Sequence, residues 1–377
     1  MKVLQIVENL DNGAVETWLV RAFIDSKKYD NSIHWTFFCI LPHKGINEDF
    51  VIRNGGIVIH SDHSLSRKFS FLWSLRKILK LGKYDVIHSH HDYITGFYFL
   101  SSFGLGINRR IIHVHNLEKH LPVSNAFLKK ILLLFFFNIA YFSSDAIVGV
   151  SLDALCYFLN GRSNAKGHVL YCGIDFNLFL NNNITNDVFR QKIGIDEDSK
   201  ILLYVGRLDY DKNAIFIIDI LNDLLKIDPQ NKYCAIFAGN GPLEGKMKQK
   251  ADELGILKSV YFVGYRRDIE SFYLNSSIFV FPRFESKKEG LGLVLVEAQA
   301  AGLPIITTKA IPDDAFFNKG LISISSTELS SREWSNQIIN ILSTIHVDRS
   351  KHIVKAIDSQ FSLEYSTKKL IYLIKGI

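Results

Sequence analysis

Short apolar runs alternate with longer helical patterns through nearly the whole chain. VLQIV (3–7) has the pattern of a buried strand, and AVETWLVRAFI (14–24) behind it has helical spacing. WTFFCIL (35–41), GIVIH (56–60), YDVIHSH (84–90), RIIHVH (110–115) and DAIVGVS (145–151) continue the series, with helices predicted around FLWSLRKILK (71–80) and from Asn125 onward. Continuous apolar strands of this length, separated by helices, predict a parallel sheet covered on both faces. The pattern restarts at ILLYVGR (201–207) and runs through YCAIFAG (233–239), SVYFVG (259–264), SIFVFP (277–282) and LPIITT (303–308). Residues 177–200 between the two series are Asn-rich and acidic without an apolar period, and read as a linker. The expected architecture is therefore two Rossmann-like α/β domains, 1–180 and 181–377. An amphipathic helix pattern, FSLEYSTKKLIYLIKGI, closes the chain.

Composition agrees with two well-filled cores. The 377 residues are 47% hydrophobic and 22% charged, which excludes wholesale disorder and a collagen-like chain. Cys39, Cys156, Cys172 and Cys234 lie far apart, so neither a Cys-rich zinc site nor a disulfide scaffold is expected, and a reducing compartment fits. Charge is uneven: residues 1–170 carry 19 Lys and Arg against 13 Asp and Glu, so the whole +6 excess lies in the first half. Such a half suits an anionic partner, either a membrane surface or a phosphorylated acceptor. The greasiest stretch, ILLLFFFNIAYF (131–142), spans about 18 Å as a helix and is too short for a ~30 Å hydrocarbon core. The opening MKVLQIVENL, with Glu8 inside it, reads as a strand and not as a secretory leader.

The densest chemistry lies in FPRFESKKEGLGLVLVEAQAAGLPIITT (281–308). A strand ends at Pro282, a loop carries Glu289-Gly290-Leu291-Gly292, and a helix follows. Glycine-rich backbone at a helix N-terminus offers unpaired N–H groups and the positive end of the dipole to phosphate. Glu289 and Glu297 are eight apart, a little over two helical turns, which would bring both carboxylates to roughly one side to grip sugar hydroxyls. For a generic helix the plainer reading stands beside it: Glu289 answers the dipole and Glu297 lies on a solvated face. His88, His90 and His91 form a close group with Asp92, but consecutive strand residues face opposite ways and no Cys or carboxylate set accompanies them. No metal is expected there, and His90 or His91 is a candidate for the neighbourhood of an acceptor. Gly104 and Gly106 come too late after their strand to be a dinucleotide fingerprint.

Taken in order, a Gly-containing first loop, DVIHSH, HVHN, SDAIVGVS, YCGIDFNLF, YVGRLDYDK, FAGNGPLE, FVGYRRDI and the double-Glu segment resemble the family 4 retaining glycosyltransferases of the GT-B fold, most closely the bacterial polysaccharide-assembly branch. The resemblance covers nearly the whole chain. It implies two Rossmann-like domains facing each other across a cleft, the first on the acceptor side and the second on the donor side, with the C-terminal helix crossing back to the first. It also implies that Glu289 holds hydroxyls of the donor sugar, that the backbone of Leu291, Gly292 and Leu293 cradles the diphosphate, and that Glu297 accepts from the ribose. By the same resemblance Arg207 and Lys212 neutralise phosphate, Val263 and Gly264, with Tyr265 and Arg266 beside them, meet the nucleobase, Gly13 faces the diphosphate, and His115 lies near the reacting face of the sugar.

Two departures are visible. Gly13 is followed by Ala14 where a second glycine is usual, so a positive φ at that position would be costly. The stretch PRFESKKEG, with Glu285, Lys287 and Lys288, is longer than usual and is a candidate for tuning donor or acceptor choice. The implied activity is transfer of a hexose-type sugar from a nucleotide-sugar donor to a lipid-linked saccharide acceptor with anomeric retention. The nucleotide sugar is a substrate, and no cofactor, obligate metal or nucleic-acid partner is expected. The expected location is cytoplasmic, peripheral on the inner face of the plasma membrane. Two rivals remain at this level, a nucleotide-sugar epimerase of the same architecture and a non-catalytic membrane-associated binding protein.

Overall fold

The computed structural model describes residues 1–11, 13–117, 126–182, 184–345 and 348–377. The chain divides into two compact units, one of Met1–Ile174 with Gln360–Ile377, the other of Asp175–Ser359. The sequence expectation ran the second domain on to residue 377; the structure returns the last 18 residues to the first unit.

In the first unit, β1 (Lys2–Val7), β2 (His34–Cys39), β3 (Ile57–His60), β4 (Val86–Ser89), β5 (Arg109–Val114), β6 (Ala146–Gly149) and β7 (Gly167–Val169) form one sheet in the order β3-β2-β1-β4-β5-β6-β7. Every pair is parallel. The central strands are buried along their whole apolar runs, as a doubly covered sheet requires. Helix Ala14–Ser26 buries Trp18, Leu19, Ala22 and Phe23, the i, i+4 stripe that its sequence spacing predicts. The three-residue β7 was not legible in the sequence, because a short, half-polar edge strand has no apolar run. The apolar helix runs Ala126–Ser143; its expected start at Asn125 lies outside the described residues.

Helix Leu363–Lys375 joins this unit through helix Ala14–Ser26. Backbone bonds between Ile174 and both Phe361 and Leu363 lead it in, at 2.8 and 2.9 Å. Trp18 Nε1 then donates to Ser366 Oγ at 2.8 Å, and that hydroxyl donates to the Tyr171 carbonyl at 2.8 Å. Trp18 and Ser366 are both buried, so each polar atom depends on the other. At the far end Lys375 pairs with Asp30 at 2.5 Å.

The second unit contains β8 (Lys200–Val205), β9 (Tyr233–Ala238), β10 (Val260–Gly264), β11 (Ile278–Phe281), β12 (Ile305–Thr307) and β13 (Ile322–Ile324), again all parallel, in the order β10-β9-β8-β11-β12-β13. The edge strand β13 escaped the sequence pattern for the same reason as β7. Part of the supposed linker is helical, at Asn177–Leu180 and Asn186–Ile193.

Each sheet order reverses at one place, between β1 and β4 in the first unit and between β8 and β11 in the second. At such a switch point the crossover connections leave in opposite directions and the carboxyl ends of the two strands stay uncovered, the usual ligand position in an open α/β sheet.

Replacing Ser366 by Ala strands the buried Trp18 donor and is expected to cost about 1–3 kcal/mol. The double variant Trp18→Phe/Ser366→Ala, with no orphaned donor, should be less destabilised than the sum of the single changes. Urea unfolding of the full chain checks both; equal stability of Ser366→Ala and the parent would refute the coupling.

Candidate active site

The switch point of the second unit collects residues that sequence reasoning singled out separately. The loop after β8 carries Arg207 and Lys212, and the loop after β11 carries Glu289, Leu291 and Gly292. Although 77 residues apart, Lys212 and Glu289 meet: Lys212 Nζ lies 2.7 Å from each Glu289 oxygen. Lys212 is aimed by its own loop, its amide donating to Asp209 Oδ1 at 3.0 Å while the ammonium sits 5.3 Å above the Phe281 ring. A second cation completes the arrangement. Arg283 Nη1 is 2.9 Å from Glu289 Oε2, and its other nitrogens donate to the Lys287 and Lys288 carbonyls. The side chains of Lys212, Glu289 and Arg283 keep only 19%, 19% and 10% of their exposure. Pairs this sheltered are screened less than surface ion pairs.

Glu289 lies on the loop ahead of the helix, where the sequence reading placed it. The helix begins at Leu293, and Glu289 is placed by its amide bond to the Ala310 carbonyl, 2.8 Å. Gly292 is the N-cap, with φ +84° and ψ +54°. A Cβ there would meet nothing closer than 3.3 Å, so glycine is required by backbone conformation and not by space. Leu291, Gly292 and Leu293 thus present main-chain amides at the start of a helix, where no intrahelical acceptor exists.

Glu297 lies one to two turns into the same helix and is half-buried. Its Oε2 accepts from the hydroxyl of the buried Tyr273 at 2.8 Å, so it is oriented and not a solvated face residue. Arg207 is 72% exposed, with its Nε 3.8 Å from Asp209. It extends from the same carboxyl end of the sheet without joining the Glu289 cluster. Val263 and Gly264 end β10, and the Gly264 carbonyl accepts from Gly239 N at 2.8 Å. Beside them Tyr265 is exposed, whereas Arg266 is bound by both oxygens of Asp268 at 2.8 and 2.7 Å.

In the first unit, Gly13 follows β1 and His115 follows β5. Gly13 is an extended N-cap (φ −63°, ψ 155°), and Ala14 is the first helical residue. The second position therefore needs no positive φ, and the expected conformational cost of Ala14 does not arise. Space next to Gly13 is taken by the Glu16 carboxylate, 2.0 Å from where a Cβ would stand. His115 is positioned from both sides. Its amide donates to Asp92 Oδ1 at 2.8 Å, and its Nε2 is 3.0 Å from His90 Nδ1. Asp92 adopts φ +42°, an uncommon conformation for a residue with a side chain, and also accepts from Asn116 at 2.9 Å. Burial holds the imidazoles of His90 and His115 well below the usual histidine range, so the pair is neutral near pH 7.

Arg283, Tyr273 and Asp92 were missed as site residues. Arg283 stands in the charged loop already noted for Glu285, Lys287 and Lys288, and its position after a strand was the one available signal. Tyr273 is more than twenty residues from its partner and carried none.

Residues 185–343 match the family described as "Glycosyl transferases group 1", and residues 32–178 match "Glycosyltransferase Family 4". The chain is 27% identical over 389 residues to the capsular polysaccharide biosynthesis glycosyltransferase CapH of Staphylococcus aureus, covering all of both chains. It is 26% identical over 249 residues to the UDP-Gal:alpha-D-GlcNAc-diphosphoundecaprenol alpha-1,3-galactosyltransferase of Escherichia coli, covering 65% of this chain and 63% of that one. The crystal structure of HepE from Anabaena in complex with UDP-glucose superposes with a TM-score of 0.78 at 19% identity over the full length of both chains, a likeness of fold. The chain belongs to the family 4 glycosyltransferases of the GT-B fold, and its relatives include enzymes of bacterial polysaccharide and capsule biosynthesis.

Arg283 is expected to orient Glu289. Arg283→Gln should lower kcat about tenfold or more, equivalent to ~1.4 kcal/mol of transition-state stabilisation, with an unchanged circular dichroism spectrum. Arg283→Lys should recover little, because one ammonium cannot span Glu289 and two carbonyls. Parental kcat in Arg283→Gln would remove the residue from the site.

Proposed function

We propose that this glycosyltransferase moves a hexose-type sugar from a nucleoside-diphosphate donor to a saccharide acceptor carried on a lipid, with retention of anomeric configuration, in bacterial surface polysaccharide synthesis. The observation that carries the reading is the Glu289 carboxylate held by Lys212 and Arg283 beside the Gly292-capped helix. A carboxylate set among cations suits a sugar that departs from a diphosphate. Glu289 accepts from the sugar hydroxyls, while Lys212, Arg207 and the amides of residues 291–293 stabilise the charge that grows on the leaving phosphate. Glu297, fixed by Tyr273, accepts from the ribose, and the β10 end with Val263 and Gly264 lies against the base. The nucleotide and lipid-diphosphate chemistry named for the relatives supports the same donor and acceptor classes.

Retention follows from attack on the face the phosphate leaves. The acceptor oxygen bonds to the anomeric carbon as the carbon–phosphate-oxygen bond breaks, and the acceptor proton passes to the departing phosphate oxygen. Glu289 and His115 then position and stabilise, and neither forms a covalent intermediate. Two cations and helix-end amides supply the charge a metal would otherwise bring, so the transfer step proceeds without a divalent ion in this reading.

Glu297→Ala should raise donor KM with little change in kcat, because a ribose contact is made in ground and transition states alike, whereas Glu289→Ala should mainly lower kcat. Both are to be measured with EDTA present, on donor alone and on donor with lipid-linked acceptor. Parental kinetics in both variants, or activity that returns only when Mg²⁺ or Mn²⁺ is restored, would overturn the assignment. Turnover of donor without acceptor would favour the epimerase, and no turnover in either would favour a binding protein.

The first unit also supports a membrane location. Helix Ala126–Ser143 is not apolar and buried all round: Phe127, Ile131, Leu134, Phe135 and Phe142 are exposed beside Lys130. Helix Lys68–Gly82 exposes Phe69 and Trp73 among Lys68, Arg76, Lys77 and Lys80. Phe97 links the two, touching Phe71 and Phe136. Among the described residues no helix is long and apolar enough to cross a membrane. Exposed aromatic residues interleaved with Lys suit the headgroup layer of an anionic membrane, with each cation contributing about 1 kcal/mol. Sedimentation with anionic vesicles should pellet the protein at low salt and release it at high salt. Equal recovery in the supernatant with and without anionic lipid would exclude this docking.

A further inference from the structure

The first sheet buries three imidazoles, His88, His90 and His113, that the transfer reaction does not use. β4 and β5 pair with His88 opposite Ile111 and Ser89 opposite Ile112, which sets position 90 opposite position 113. Alternate strand residues share a face, so His88 and His90 of one strand meet His113 and His115 of the next. Ring centroids are 4.2 Å apart for His88–His90, 5.3 Å for His90–His113, 5.4 Å for His88–His113 and 4.4 Å for His113–His115. His88 and His113 are wholly buried and His90 retains 6% exposure. Trp18 closes the face, edge-on to His113 at 5.3 Å.

The polar atoms of this cluster are not satisfied by the protein. Neither nitrogen of His88 has a hydrogen-bond partner, His113 has at best a loose contact to the Leu170 backbone, and the buried Gln5 Nε2 and His115 Nδ1 are also unpartnered. Buried imidazoles in this state keep the desolvation cost of each nitrogen without recovering it. A strand in the middle of a parallel sheet would be better served by Val or Ile, so three such rings in contact call for a ligand. One ring nitrogen each from His88, His90 and His113 lies within 4.8 Å of the other two.

We propose that His88, His90 and His113 bind a borderline transition-metal ion, Zn²⁺ being the best match, in the core of the first unit. Zinc takes imidazole nitrogen at about 2.0–2.1 Å, which in tetrahedral geometry separates ligand nitrogens by about 3.3 Å, so side-chain rotations of order 1 Å complete the site. An all-nitrogen neutral donor set favours Zn²⁺, Ni²⁺ or Cu²⁺ and discriminates against Mg²⁺ and Ca²⁺, which demand oxygen. Gln5 Oε1, 3.0 Å from His90 Nε2, fixes the His90 ring as an outer partner, the role carbonyl and carboxylate groups play around metal-bound histidine. His115, 3.0 Å from His90 Nδ1, stands at the strand end as the way in and as a candidate fourth ligand. The ion would tie β4 to β5, and in taking His90 Nδ1 it would replace that atom's contact with His115 Nε2. The expectation of no metal at His88, His90 and His91 rested on the lack of a Cys or carboxylate set and on neighbours facing opposite ways; the set proposed here leaves out His91 and takes its third ligand from another strand.

The three ligands His88, His90 and His113 take no part in the transfer reading, and the test does not read activity. Untagged full-length protein, purified after chelation, is mixed with ZnCl₂ or with MgCl₂, desalted and assayed for bound metal. One equivalent of zinc per chain should remain, with no magnesium, and Tm should rise by about 5–10 °C at a free zinc concentration a hundredfold above Kd. His88→Val and His113→Val should lose both effects. Should those variants not fold, Co²⁺ loading of the parent protein decides the matter, because a tetrahedral nitrogen site gives an intense visible d–d band. Zinc retention unchanged in the folded variants, zinc without effect on Tm, or Co²⁺ showing only the weak spectrum of the hydrated ion would each overturn the proposal.

Discussion

The site of the second unit depends on one topological constraint, the adjacency of β8 and β11 in a sheet whose crossovers depart to opposite sides. A parallel strand pair of that kind leaves its carboxyl ends uncovered, so the two following loops are pressed together at the sheet edge. Lys212 rides on one loop, Arg283 and Glu289 on the other, and the ion pairs at 2.7 and 2.9 Å are the result. The same strand end delivers the chain to Gly292, whose left-handed conformation turns it into a helix with its amides directed back toward the loops.

Charge balance then explains why these residue types stand there. One carboxylate between two sheltered cations is held in a fixed orientation and leaves the group net positive, and the exposed Arg207 adds a further charge. A sheltered cation without a partner would be expensive, and a sheltered carboxylate likewise. The cluster therefore keeps three charges at the strand ends in a form that the folded chain tolerates. Glu297 is held by the hydroxyl of a buried tyrosine.

The first unit is built on the same sheet logic and filled with different chemistry. The ends of β4 and β5 carry neutral imidazoles, with Asp92 in a strained backbone conformation to fix the His115 main chain. Helix Leu363–Lys375 contributes to the roof over that face, because Ser366 holds Trp18 and Trp18 packs against His113. The basic, aromatic surface of helices Lys68–Gly82 and Ala126–Ser143 belongs to the same unit, so its core polar cluster and its exposed greasy face are linked by a single sheet.

Local patterning determined a great deal by itself. Apolar runs located eleven of the thirteen strands among the described residues, failing only at β7 and β13, whose three residues are too few and too polar to register. The parallel, two-sheet architecture followed from the alternation of such runs with helices, and the order of motifs marked Lys212, Glu289, Gly292 and Glu297 one by one. What local patterning could not supply was which residues meet. Arg283 with Glu289, Tyr273 with Glu297, Ser366 with Trp18 and His88 with His113 are contacts between distant segments, set by strand order and register, and neither leaves a periodic trace in a single strand. Backbone geometry was equally out of reach: Ala14 reads as a costly substitution until the helix is seen to begin at that residue, where alanine is the best helix former available. Sequence periodicity reports the burial of each segment against its neighbours, whereas the site arises from the order in which those segments are stacked, and only the folded sheet decides that.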